Sequence, residues 1–317
     1  MICKRRIPRL ALALILLVAG GASREPQSAK DQANPRLAAL GQALFNDRAL
    51  ALNGTVAGAD CHKPGHGFAE SRPSVPGTGR NTPTLLGVTR RGIWGWDGRH
   101  KRLEDALTAP MLDPHEMGNQ SLAQIVARVG PRYAAFSDDG SVLTPQSLVA
   151  ALAAYLRQVD RPGRFDRYMA GEIAVLSDQE RQGLHLFRSK ARCVTCHSGP
   201  QFTDDRFHNL RLSAFGEASQ DLGRWRVTRD ALDVGRFRTP TLRGISRTAP
   251  YMHSGHFTSL QGVVRFYMRG GGEVRARDAA EAARPLFAEA ATLSPLIRPF
   301  ELTEDEIAAL VAFLRAL

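Results

Sequence analysis

The chain has 317 residues, 43% of them hydrophobic and 23% charged, enough for two globular domains with real cores and too apolar for a disordered chain. Its net charge of +11 comes without a compact Lys/Arg run interleaved with aromatics, which excludes nucleic acid as a partner. The charge suits solubility, and a basic face would also steer an acidic redox partner.

At the N-terminus, Lys4, Arg5, Arg6 and Arg9 precede the apolar run 10–19, followed by Gly20, Gly21 and Ala22. This order of basic, apolar and small residues predicts an export signal cleaved near Ala22. Ten apolar residues are too few to span a bilayer, so no stable membrane span is expected after cleavage, and the mature chain is expected in the periplasm. Residues 23–34 are polar. From Leu37 the spacing of Leu37, Leu40, Leu44 and Phe45 predicts a helix. Thr144-Pro145 opens another, with Leu148, Leu152, Tyr155, Leu156 and Val159 on one side. Residues 160–166 break the pattern and mark a domain boundary. Ser177 and Glu180 form a capping box for a helix running to Phe187, and Thr303 and Glu306 form one for the final helix. Period-2 alternation is scarce, so the chain reads as mainly helical with long loops.

Residues 193–197 read CVTCH, the signature of c-type haem attachment, in which two thiols bond the porphyrin and the histidine ligates iron. Residues 58–62 read GADCH, with Gly58 where a cysteine would stand. With Cys3 removed, Cys61, Cys193 and Cys196 remain, an odd number that fits no disulfide framework and is accounted for by haem attachment.

The two halves repeat. Gly41-x-x-Leu44-Phe45 precedes GADCH, and Gly183-x-x-Leu186-Phe187 precedes CVTCH. TPTL at 82–85 matches TPTL at 239–242, and an offset of 157 then pairs Gly87 with Gly244, Gly98 with Gly255 and Leu103 with Leu260. GADCH therefore occupies a haem-site position, where His62 can ligate iron and Cys61 can make one thioether. At the second site His197 is the proximal ligand. Leu260, Val263, Val264 and Tyr267 share a helical face, which makes Tyr267 a candidate for the other axial position; a core tyrosine has the same pattern, and Met252, Met268 and His253 are rivals. Tyr267 maps back to Pro110, which has no ligand atom, so the first iron is expected to be open on that side. Glu116 follows six residues later, either a surface carboxylate or an acid-base group beside the open position. There is no Gly-rich phosphate loop after a strand, which removes support for a dinucleotide enzyme.

These motifs, with RNTPTL (80–85), WDGR (96–99), EMG (116–118), TAPYMHSG (248–255) and LSPLIRP (293–299), resemble the bacterial dihaem cytochrome c peroxidase superfamily, including its MauG-like branch, from about Leu37 to Leu317. The resemblance implies an all-α fold of two cytochrome-c-like domains related by a pseudo-twofold axis, with one haem c in each. The expected boundaries are 1–22 for the signal, 23–162 for the N-terminal domain and 163–317 for the C-terminal domain. It further implies that His62 serves the peroxide-reacting haem, that Glu116 is its acid-base residue, and that Trp96 relays electrons between the haems. Asn81, with the carbonyls of Thr248 and Pro250, would line a calcium site, for which oxygen ligands are suited. The family's peroxidases place methionine where Tyr267 stands and carry a capping histidine before RNTP, whereas residues 71–79 here contain none; both features match the MauG-like branch. The implied activity is reduction of hydrogen peroxide through high-valent haem iron, with oxidation of a small redox protein (a cytochrome c or cupredoxin) or of a side chain on a protein substrate. Gly58 departs from the family pattern and leaves open a non-enzymatic electron carrier with one working haem at CVTCH.

Overall fold

Why the helices fall where they do is set largely by capping. In the computed structural model, which describes residues 34–74, 79–136, 142–160 and 162–317, Asn34 accepts from Leu37 N and starts α1 (Pro35–Asn46). Thr144 and Ser147 cap α5 (Pro145–Val159) reciprocally, Ser177 and Glu180 cap α7 (Asp178–Arg188), and Thr303 and Glu306 cap α12 (Glu304–Ala316). These are the helices expected from the sequence, and each satisfies otherwise orphaned N–H groups of its first turn. Between them lie α2 (Gly58–Cys61), α3 (Leu103–Leu112), α4 (Leu122–Val129), α6 (Arg164–Met169), α8 (Trp225–Thr228), α9 (Leu260–Met268), α10 (Ala279–Ala282) and α11 (Phe287–Ala291). Two three-residue strands, β1 (Phe207–Asn209) and β2 (Arg236–Arg238), pair antiparallel. The expected break at 160–166 is shorter than the sequence suggested, because Asp166 turns back to accept from Gly163 N at 2.7 Å and α6 begins at Arg164. The expected export signal lies in residues 1–33, outside the described residues. Among the described residues no helix is long and apolar enough to cross a membrane.

Two large hydrophobic clusters fill the molecule, one drawn from residues 40–156 and the other from 165–316. Each is built on the same pair of helices: α1 against α5, and α7 against α12. The contacts are close because glycine permits them. A Cβ on Gly41 would stand 1.9 Å from Ala151 O, and one on Gly183 would stand 2.0 Å from Ala309 O. Helices α3 and α9 begin at Leu103 and Leu260, which differ by the offset of 157 read from the sequence, and pack on α5 and α12 respectively. A smaller cluster of Phe215, Val234 and Ala290 lies in the stretch around the strands.

The halves are tied by charge as well as packing. Arg80 donates to Asp97 Oδ2 at 2.7 Å and to both oxygens of Asp221, at 2.6 and 2.8 Å. All three residues are buried. Burial pushes the Asp97 carboxyl up, but Arg99 and Arg80 outweigh it and hold it at about 2. Its folded value is depressed, so this stabilisation is present above the ordinary value of 3.8 and is lost as pH falls towards about 2. Arg80→Met leaves two buried carboxylates without their shared cation and is expected to cost about 3–5 kcal/mol, read as a lower urea midpoint; a midpoint within error of wild type contradicts the triad's role.

Candidate functional site

The two Cys-His motifs meet the same local chemistry. His197 Nδ1 is held by Phe202 O at 3.0 Å, and His62 Nδ1 by Phe68 O at 3.2 Å. Both phenylalanines have left-handed backbones, with φ of 51° and 54°, a conformation bulky residues seldom adopt. In each half the loop beneath is pinned by a threonine hydroxyl: Thr241 Oγ1 donates to Gln201 O at 2.6 Å, and Thr84 Oγ1 to Gly67 O at 2.5 Å. Fixing Nδ1 selects the tautomer with a lone pair on Nε2, the atom a metal takes. Burial lowers both imidazole pKa values, His62 to about 4, so both rings are neutral at pH 7 and able to ligate.

At the second site, Cys193, Cys196, His197 and Tyr267 border one cavity, together with Leu260, Val263 and Val264 of α9. The expected face of that helix is therefore the cavity wall, while Phe266, also buried, packs on Phe257 at 5.1 Å between ring centroids. Burial pushes the Cys193 thiol up to about 12 and the Cys196 thiol to about 11. Burial and the two nearby thiols also raise the Tyr267 phenol well above its ordinary value. The donor set fits a porphyrin iron: two thiols, an imidazole with its outer nitrogen anchored, and a half-buried phenol in one apolar cavity. Met252 and His253 also border it, but His253 is stacked on Phe237, ring centroids 3.5 Å apart.

At the first site, Cys61 ends α2 and His62 follows as its cap. Glu116 lies close enough to Cys61 for its charge to raise the thiol pKa, second only to burial. Glu116 is exposed, yet partial desolvation, followed by the charge of Asp113, holds its pKa above the ordinary 4.5. Pro110 is the eighth residue of α3, as Tyr267 is the eighth of α9. Gly58 is crowded: a Cβ there would stand 2.9 Å from Phe45 Cδ2. Phe45 is 5% exposed and packs on Tyr155 and Phe68, with ring centroids at 5.3 and 6.2 Å.

Trp96 lies on the wall of the second cavity. Its indole donates to Asn81 O at 2.8 Å, its carbonyl accepts from Arg238 N at 2.7 Å, and its ring lies edge-on to His253. It borders the same cavity as His197. Trp94, by contrast, is a core indole donating to Val88 O. Asn81, Thr248 and Pro250 all border this cavity, and Asn81 Nδ2 donates to Arg72 O at 3.0 Å. Three residues that carried no signal in the sequence also lie here: His208, whose Nε2 is 3.3 Å from Asp204 Oδ2, and the arginines Arg91 and Arg238. His66, four residues after His62, contacts Ala249 O.

Paired Cys-His sites in one mainly helical chain define a class of multihaem oxidoreductase, and comparison with known proteins specifies it. A model of the di-haem cytochrome c peroxidase family matches residues 35–174. The chain is 34% identical to the methylamine utilization protein MauG of Methylorubrum extorquens, covering 92% of this chain and 81% of that one. It is 33% identical to the cytochrome-c peroxidase IdrP1 of Pseudomonas sp. (strain SCT), over 90% of this chain and 82% of that one. Among solved structures, a MauG-like protein associated with microbial copper homeostasis superposes with a TM-score of 0.77 at 29% identity, covering 95% of each chain. The chain belongs to the di-haem cytochrome c peroxidase family, and it is an oxidoreductase of the peroxidase type.

Proposed function

We propose that this protein is a periplasmic c-type dihaem enzyme that reduces hydrogen peroxide at the His62 site and oxidises a protein partner. It would be built as two cytochrome-c-like domains, 23–162 and 163–317, about a pseudo-twofold axis. The carrying observation is that two sites share one histidine–carbonyl arrangement, while the same position of the following helix is Tyr267 in one half and Pro110 in the other. When bound, haem supplies the redox chemistry with peroxide. The protein does the rest. His62 and His197 would offer Nε2 to a haem iron; Tyr267 would offer a phenol oxygen at the second site. Glu116 moves a proton between the two oxygens of a peroxide bound near Cys61. Trp96 offers an aromatic path between the sites, and Asn81 with Thr248 and Pro250 offers oxygens for calcium. An anionic phenolate ligand favours the oxidised metal, opposite to methionine, so the second site is suited to holding an oxidising equivalent and favours a protein side chain as the partner over ordinary cytochrome traffic. The test is turnover of peroxide with reduced cytochrome c beside mass analysis of co-expressed proteins. Peroxide-dependent modification of a protein supports the side-chain reading, and cytochrome oxidation supports the detoxifying one. Absence of both leaves the electron-carrier reading.

The Gly58 departure has a structural counterpart. Attachment at the first site would use Cys61 alone. Because Phe45 is locked by Tyr155 and Phe68, Gly58→Cys is expected to leave the haem on one thioether, whereas Gly58→Cys with Phe45→Ala gains the second. Pyridine haemochrome spectra of the two variants check this; a second thioether in Gly58→Cys alone contradicts it.

A further inference from the structure

Two arginines on the wall of the second cavity have no part in the proposal above. Arg91 and Arg238 are 7% and 3% exposed, and both border the cavity with Cys193, Cys196 and His197. Arg238 is well partnered: Nη1 donates to Asp205 Oδ1 at 2.7 Å and Thr239 O at 3.1 Å, and Nε donates to Gly95 O at 3.1 Å. Arg91 is not. Its Nη2 donates to Leu86 O at 2.7 Å and Thr84 O at 3.2 Å, while its buried Nε has no partner. Burial, and then the positive charge of Arg238, pull the Arg91 guanidinium down to about 9; Asp205 and Asp160 act the other way. Asp205 is engaged by Arg238, and Asp160 lies 3.0 Å from Arg90. Two buried cations thus share little negative charge. An uncompensated buried charge is strongly unfavourable, and a buried guanidinium on a cavity wall is suited to pair with a carboxylate.

We propose that Arg91, backed by Arg238, is the receptor for a propionate carboxylate of the haem at the second site. The proposal rests on the reading that this cavity holds haem. Arg91 belongs to the first half of the chain and its charge also acts on His62, so the contact would link the acid edge of the second haem to the wall of the first site. Its counterpart in the repeat is Thr248, so the device is single. Arg91 is here a positioning residue that sets the potential.

The test is a spectroelectrochemical titration of the second haem in wild type, Arg91→Gln and Arg91→Lys, from about pH 5.5 to 8.5, where a released carboxyl in a partly buried site titrates. A propionate gripped by guanidinium stays ionised, so the wild-type potential is flat over this range. Loss of the cation in Arg91→Gln favours the oxidised metal: the potential falls and gains a pH-dependent slope, and Arg91→Lys restores most of it. A slope in wild type, or an Arg91→Gln profile equal to wild type, overturns the proposal; the wild-type titration decides even if the glutamine variant does not fold. Haem content is counted in the same samples. Two haems with unchanged potentials sink this proposal alone, whereas no haem at CVTCH sinks the functional reading beneath it.

Discussion

Glu116→Gln is expected to slow the reaction of the oxidised protein with hydrogen peroxide by about 10²–10⁴-fold, the usual contribution of a positioned acid-base group. Glutamine keeps the size and polarity of the side chain but can neither take nor return a proton. Haem content and the spin state of both irons should be unchanged, because Glu116 ligates nothing. The pH profile separates proton transfer from mere positioning. Wild-type Glu116 must be ionised to take the first proton, so its rate should fall as pH drops through the Glu116 pKa, which partial desolvation and Asp113 hold above 4.5. That limb should vanish in the variant. Stopped-flow mixing across pH measures both, and a variant that retains the wild-type rate removes Glu116 from the chemistry.

The second large effect is at Tyr267. Tyr267→Phe removes one oxygen and keeps the ring that helps line the cavity of the second site. Without the phenol the second iron should lose its sixth ligand, so the low-spin signal converts to high-spin, with no change in haem content. Burial and the nearby thiols favour the neutral phenol, so only a cation bound there can favour phenolate. Tyr267→Met should keep the iron six-coordinate and raise its potential. If Tyr267→Phe leaves the low-spin signal intact, Met252, Met268 or His253 is the ligand instead.

Much of this organisation is legible along the chain because it is carried by local signals. The capping pairs Ser177–Glu180 and Thr303–Glu306 mark helix starts within the first turn. The offset of 157 places Pro110 and Tyr267 at the same point of α3 and α9 without any knowledge of packing. What escaped depends on contacts between residues far apart in sequence. α6 starts inside an apparent linker because one carboxylate, Asp166, folds back to Gly163 and also receives Arg243 at 2.7 Å. The crowding of Gly58 by Phe45 follows from how α1 lies on α2, and nothing in GADCH foretells it. Nothing in the local sequence marks Arg91 and Arg238, which the fold buries on the cavity wall.

The most direct measurement is a quantified EPR spectrum of the oxidised protein, with haem counted on the same sample. Two haems per chain, one giving a high-spin signal and the other a low-spin signal in equal amounts, is the expected result, with the high-spin component lost in His62→Ala. A single haem per chain, or two irons both low-spin, contradicts the asymmetry on which the peroxide reaction depends.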